Sequence, residues 1–233
     1  PKAIKTRLLG AESKRKVMIL KRLLLSICFF SVCLAAGQLI QSEPSIPLEN
    51  RFYKVSNDGQ LMAAWKGPWA CVYDENQNLL WEVKRDDESI HDGYWSYSWF
   101  NDQIGVKNSG DCYFEPDRCD TQDLIRKANQ RGLCQVTGWR LPTKQEVGAI
   151  LQTQDKPQQA MLSTDYFRHI KAGDYWTQDA EQPLDGHYRH LDKGAIAVDF
   201  FQGRFHTLPY RNAAFVMLVT SELPNSIKEA NAQ

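Results

Sequence analysis

The sequence predicts an α+β fold, mainly antiparallel sheet with two short helices and long loops. Strand-like apolar runs gather at both ends of the chain's body, "CVYDENQNLLWEVK" early and "DYWTQD", "AIAVDFFQG" and "AAFVMLVTS" late. Only two stretches between them, "CDTQDLIRKANQRG" and "TKQEVGAIL", carry helix signals. Segregated elements of this kind argue for antiparallel pairing, and two short helices are too few to wind a parallel βαβ sheet. The chain is 42% hydrophobic and 24% charged, with no internal repeat or long linker up to Thr220, which fits one domain with a sizeable core.

Residues 1–37 read as an N-terminal extension and export signal. Lys21 and Arg22 precede "LLLSICFFSVCLAA", and the small residues Ala35, Ala36 and Gly37 follow, the order of a secretory signal, with Met18 as its expected start. The run is shorter than the about 20 residues of a membrane span; Leu39 and Ile40 extend it and keep a single-span anchor as the alternative. Neither Cys28 nor Cys33 follows the small residue that a lipoprotein signal wants. This segment sets eight basic residues against the single acid Glu12, a net of +7, so the neutral chain carries −7 over its remainder. An acidic body is a poor candidate for nucleic-acid binding, which needs clustered positive charge.

Residues 38–64 read as a polar leader, 65–221 as the folded domain and 222–233 as a flexible tail. Within the domain, the two halves of "ACVYDENQNLLWEVK" flank Asp74, Glu75, Asn76 and Asn78 and predict a hairpin. The first helix is capped by Asp120 or Thr121, turns Leu124, Ile125 and Ala128 inward and ends at Gly132. The second starts at Thr143. Glu146 three residues on completes a capping box, in which the Thr hydroxyl and the Glu carboxylate each satisfy the other's backbone N–H, and Val147, Ile150 and Leu151 face the core. Pro142 keeps Leu141 extended.

Four cysteines follow the signal: Cys71, Cys112, Cys119 and Cys134. An even count in an exported chain implies disulfides, with three possible connectivities. Cys112 and Cys119 bound a short loop containing Pro116, so the reading pairs them locally and pairs Cys71 with Cys134. No tight Cys-x-x-Cys or neighbouring His suggests a metal instead.

In order, "LLWEVK", "CDT", "GLC", "WRLPT", "YW" and "VDFFQG" resemble the bacterial domain family named after the C-terminal domain of the Legionella collagen-like protein, over roughly residues 65–221. That resemblance implies an exported protein with a C-type lectin-like fold. "RLPT" also resembles the sulfatase-modifying, formylglycine-generating enzymes. In such a fold "WRL" links the two helices, with Trp139 and Leu141 in the core and Arg140 paired to a carboxylate or to backbone carbonyls.

For function, "YWSYSWF" supplies ring faces that stack on sugars and on protein partners. Alternation puts Trp95, Tyr97 and Trp99 on one face; Tyr94 and Tyr97 are the expected exposed members, and Tyr94, Trp95 and Tyr97 the candidate ligand contacts. "DDESIHDG" groups Asp86, Asp87, Glu88, His91 and Asp92, either a calcium loop or a solvated acidic turn; its spacing does not match an EF-hand. "QPLD" and "VDF" depart from the tripeptides by which C-type lectins hold calcium and sugar. His187 and His190 could grip a metal only on a helix, and their Pro- and Gly-rich surroundings read as loop. No nucleophile pattern appears, and no cysteine follows Cys134, whereas the formylglycine-generating enzymes depend on a late cysteine pair. The expectation is therefore a non-catalytic recognition or adhesion domain, periplasmic, secreted or on the cell surface, with no cofactor unless calcium binds the acidic turn. It would bind a glycan or a cell-envelope protein and no nucleic acid, and meet the membrane only through its signal. The family's namesake suggests polyanionic glycans, but the −7 charge favours neutral glycans or protein. The alternatives are a formylglycine-generating-like modifying enzyme and a structural envelope component.

Overall fold

The structure, a computed structural model, describes residues 50–152 and 160–232. The signal segment and most of the leader lie outside the described residues. The fold is α+β with antiparallel ladders, as its sequence predicts. The larger sheet is built from β1 (Phe52–Val55), β2 (Leu61–Met62), β3 (Cys71–Asp74), β4 (Leu79–Glu82) and β11 (Val219–Thr220), in the order β11-β4-β3-β1-β2. The expected hairpin is the β3–β4 pair, with Val72 opposite Trp81. A short hairpin joins β5 (Phe100–Asn101) to β6 (Ile104–Gly105). A second sheet orders β10 (Arg204–Pro209), β9 (Lys193–Asp199) and β7 (Asp174–Trp176), with β8 (Gln182–Pro183) also on β9.

Helix α1 (Thr121–Arg131) is capped by Asp120, whose side chain accepts from the Asp123 N–H, and ends at Gly132 in the left-handed region. Leu124 and Ala128 are buried and Ile125 is partly so. Helix α2 (Lys144–Ile150) buries Val147 and Ile150. Each strand of the β3–β4 hairpin is buried at all four positions because the larger sheet is covered on both faces. Tyr53, Tyr73 and Leu80 join α1 in one core; Phe52, Val72 and Trp81 join α2, Tyr175 and Val198 in the other.

The "WRLPT" stretch is the joint between the helices. Trp139 and Leu141 are buried, while Arg140 forms a fork onto Glu146, at 2.8 Å to Oε2 and 2.6 Å to Oε1, and donates to its neighbour's carbonyl. Glu146 Oε2 also accepts the Thr143 N–H at 2.7 Å, and Thr143 Oγ1 accepts the Glu146 N–H at 3.0 Å, closing the capping box. Burial works against the Glu146 charge, but the Arg140 guanidinium and the Thr143 N–H outweigh it and lower its pKa. The Arg140 backbone pairs with Val219 in both directions, so the same residue stitches the link to β11.

Three expectations need correction. The fold begins well before residue 65, since β1 and β2 occupy stretches assigned to the leader; the Pro-containing run preceding them hid a four-residue strand. The tail is docked: α3 (Asn225–Ala230) buries Ile227, and Asn231 Nδ2 donates to the Tyr73 hydroxyl at 3.1 Å. A six-residue helix with one apolar residue is too short to show a periodicity. "AAFVMLVTS" is mostly an irregular buried segment, its regular strand limited to β11, because its N–H groups go to separate partners at Tyr97, Asp174 and Glu82.

Both expected disulfides are present, Cys71–Cys134 and Cys112–Cys119. The first ties β3 to the turn after α1. Replacing Cys71 and Cys134 together by Ser should lower unfolding free energy by about 2–5 kcal/mol in urea titrations. Thr143→Ala should cost about 1 kcal/mol by the same measurement. Glu146→Ala, which also strips Arg140 of its partner, should cost more.

Candidate binding face

The acidic segment after β4 is shaped by two buried carboxylates. Asp92 Oδ2 accepts the N–H groups of Asp87 (2.9 Å) and Glu88 (2.7 Å), and its Oδ1 accepts that of Tyr94 (2.8 Å). These bonds hold the Asp92 pKa low against its burial, with help from the Lys84 charge. Asp86, Asp87 and Glu88 point to solvent. The Asp92 oxygens are thus committed to shaping the turn, and among the described residues no group of three His, Cys, Asp or Glu side chains could hold a metal ion. His187 and His190 sit on an exposed 3₁₀ turn (Gly186–Leu191).

Glu82, wholly buried at the end of β4, anchors this turn. Its Oε1 takes the Lys84 ammonium at 3.0 Å and His91 Nδ1 at 2.7 Å; its Oε2 takes the Leu218 N–H at 2.9 Å. Burial alone would push the Glu82 carboxyl up, but the Lys84 charge, His91 and the Leu218 N–H bring it down to about 2.

The aromatic run continues from the turn. Tyr94 is 62% exposed, with Lys171 Nζ 3.3 Å from its ring centroid. Trp95 is half-buried, donates from Nε1 to the Ser89 carbonyl at 2.8 Å, and meets Tyr113 edge-on at 5.2 Å; Tyr113 is itself 79% exposed. Tyr97 corrects its expectation. It is 0% exposed, near Phe114, and its hydroxyl has no protein partner among the described residues. Burial raises its pKa, with the Glu82 and Asp92 charges adding to the effect. The period of two that groups Tyr97 with Trp99 is correct, but that side faces the core: the Tyr97 backbone pairs with Ala214, and its carbonyl accepts Trp176 Nε1.

Distant residues complete the face. Trp69 carries Lys54 Nζ at 3.9 Å and the Arg168 guanidinium at 3.8 Å from its ring, and donates from Nε1 to the Tyr166 carbonyl at 2.8 Å. Lys54 also donates to the Ala64 carbonyl at 2.7 Å, fixing the loop whose next residue, Trp65, is 86% exposed. Gly93 lets the two loops touch, because a Cβ there would lie 2.5 Å from the His169 carbonyl oxygen. The Trp65 loop is thus tied through Lys54 to Trp69, and the segment carrying Arg168 and Lys171 touches both Trp69 and Tyr94. Sequence reasoning missed Trp65, Trp69, Arg168 and Lys171, since Arg168 and Lys171 sit 99 and 77 residues from the rings they cover; the density of "WKGPW" was the one signal.

Glu82→Gln should destabilise the fold by about 3–5 kcal/mol, because it leaves Lys84 buried without its counter-charge. The wild-type Glu82 pKa lies below its unfolded value, so its contribution is full above about pH 4.5 and fades as pH falls toward 2. The difference between wild-type and Glu82→Gln midpoints in urea should shrink over that interval.

A family model described as the Lcl C-terminal domain matches residues 70–220, well over half of the chain. No curated protein and no solved structure matches it.

Proposed function

The chain belongs to the Lcl C-terminal domain family, and from that premise we propose that it is a non-catalytic extracytoplasmic recognition domain that binds a glycan through its cation-backed aromatic face. The observation that carries the reading is the exposure of Tyr94 and Trp65 on loops fixed by buried polar contacts. Ring faces held in place lose little conformational freedom on binding and stack on sugar C–H surfaces. The compartment is supported by the two disulfides, which point to an oxidising environment. No described helix is long and apolar enough to cross a membrane. Against a formylglycine-generating chemistry stands the locking of Cys71, Cys112, Cys119 and Cys134 in pairs. A C-type lectin-like relationship is part of the proposal, and its support is the placement of the first and last strands in one sheet around two helices and long loops.

A glycan array with the exported protein, run with and without calcium, tests this. Tyr94→Ala should weaken binding about tenfold or more, as for a central aromatic contact, with the unfolding midpoint unchanged. Tyr97→Phe removes only a buried, unpartnered hydroxyl; it should leave binding intact and stability equal or slightly higher. An empty array together with capture of one specific envelope protein would replace the glycan by a protein ligand. Oxidation of a cysteine-containing peptide by the purified protein would defeat the non-catalytic reading.

A further inference from the structure

A second concave site lies where three distant segments meet: the β1–β2 turn, the end of α1 with the turn after it, and the chain entering α3. It is a cleft of about 780 Å³, within the about 300–1,000 Å³ usual for small-ligand sites. Its walls are fixed to one another. Ser226 Oγ donates to the Gly59 carbonyl at 2.6 Å, and Glu222 Oε2 accepts both the N–H and the hydroxyl of Thr137, at 3.2 and 2.9 Å. Gly59 sits so close that a Cβ would lie 2.8 Å from the Cys134 carbonyl oxygen.

The wall after α1 is also strained. Cys134 (φ 53°) and Gln135 (φ 61°) are successive non-glycine residues in the left-handed region, which L side chains adopt only under strain. The Cys71–Cys134 bridge holds the first of them in place. Such strain concentrates at ligand clamps.

The groups that line the cleft define a ligand. Arg131, Lys228 and Asp58 have no opposite charge within the protein among the described residues, while Glu222 is already held by Thr137. The carboxamides of Gln60, Gln135 and Asn225 also line the cleft, and their side chains have no internal hydrogen bond among the described residues. Val136, Leu223 and Pro224 supply an apolar floor. Two free cations match a carboxylate, one free carboxylate matches an ammonium, and carboxamides, with one donor and one acceptor end, match peptide N–H and C=O groups. Among the described residues no aromatic ring lines the cleft, which separates its chemistry from that of the Tyr94 face. We infer that this cleft binds a short peptide with free ends, its carboxylate at Arg131 and Lys228 and its ammonium at Asp58. The inference does not depend on the glycan reading of the aromatic face.

The test is amide chemical-shift mapping of the exported protein with trialanine, and with trialanine amide, which lacks the carboxylate. Trialanine should give saturable shifts around Gln135, Thr137 and Asn225. Arg131→Gln and Lys228→Gln, both exposed positions, should each weaken binding about tenfold, the loss of one charge-assisted hydrogen bond, and the amide, which loses both, should bind more weakly than either variant. Equal binding of trialanine and its amide would overturn the inference. So would shifts confined to Tyr94 and its neighbours, or no saturable shift up to about 10 mM.

Discussion

The structure turns on one carboxylate. Glu82 closes β4, takes the backbone of Leu218 before β11, and gathers Lys84 and His91 from the segment that follows it. A charge with no water around it is tolerable only with several donors, and here they come from two distant parts of the chain, Lys84 and His91 after β4 and Leu218 before β11. The sheet's last strand and the acidic turn are thereby referred to the same atom pair. Once that pair is set, Asp92 can gather the next N–H groups, and Tyr94 leaves the turn pointing outward.

The same economy recurs at Glu146. Its two oxygens cap α2 and receive the Arg140 fork, and Arg140's own backbone pairs with Val219. The start of β11 is therefore positioned from two sides, by Glu82 at Leu218 and by the Arg140–Glu146 joint at Val219. Such placement suits a segment that is short, irregular and wholly buried.

What the sequence made legible was local. The capping box at Thr143, the Gly132 stop, the β3–β4 hairpin and the local Cys112–Cys119 loop all depend on residues within about a dozen positions, where spacing carries geometry. For Arg140 the family resemblance implied a carboxylate or carbonyl partner, and the structure singles out Glu146, six residues away. The candidate site was legible only at Tyr94. Tyr97 shows the limit: alternation assigns residues to sides but does not say which side is solvent, and that is decided by Ala214 and Trp176, more than 75 residues later. The cations behind the rings, Arg168 and Lys171, were out of reach because contacts across the fold leave no periodic trace. Helix α3 escaped for a different reason: six polar-rich residues look like a tail until Tyr73 and Gly59 are seen to hold them.

That clasp has a consequence for how the chain acquires its shape. A polypeptide delivered from its N-terminal end presents β1, β3 and β4 early, but Glu82 lacks its Leu218 partner and Gly59 its Ser226 until nearly the whole domain has emerged. The first half must wait with a buried-type carboxylate still in water and one face of its sheet uncovered. Closure waits on residues 218 to 231, which make the contacts to Gly59, Tyr73 and Glu82, as expected of a topology rich in contacts distant in sequence.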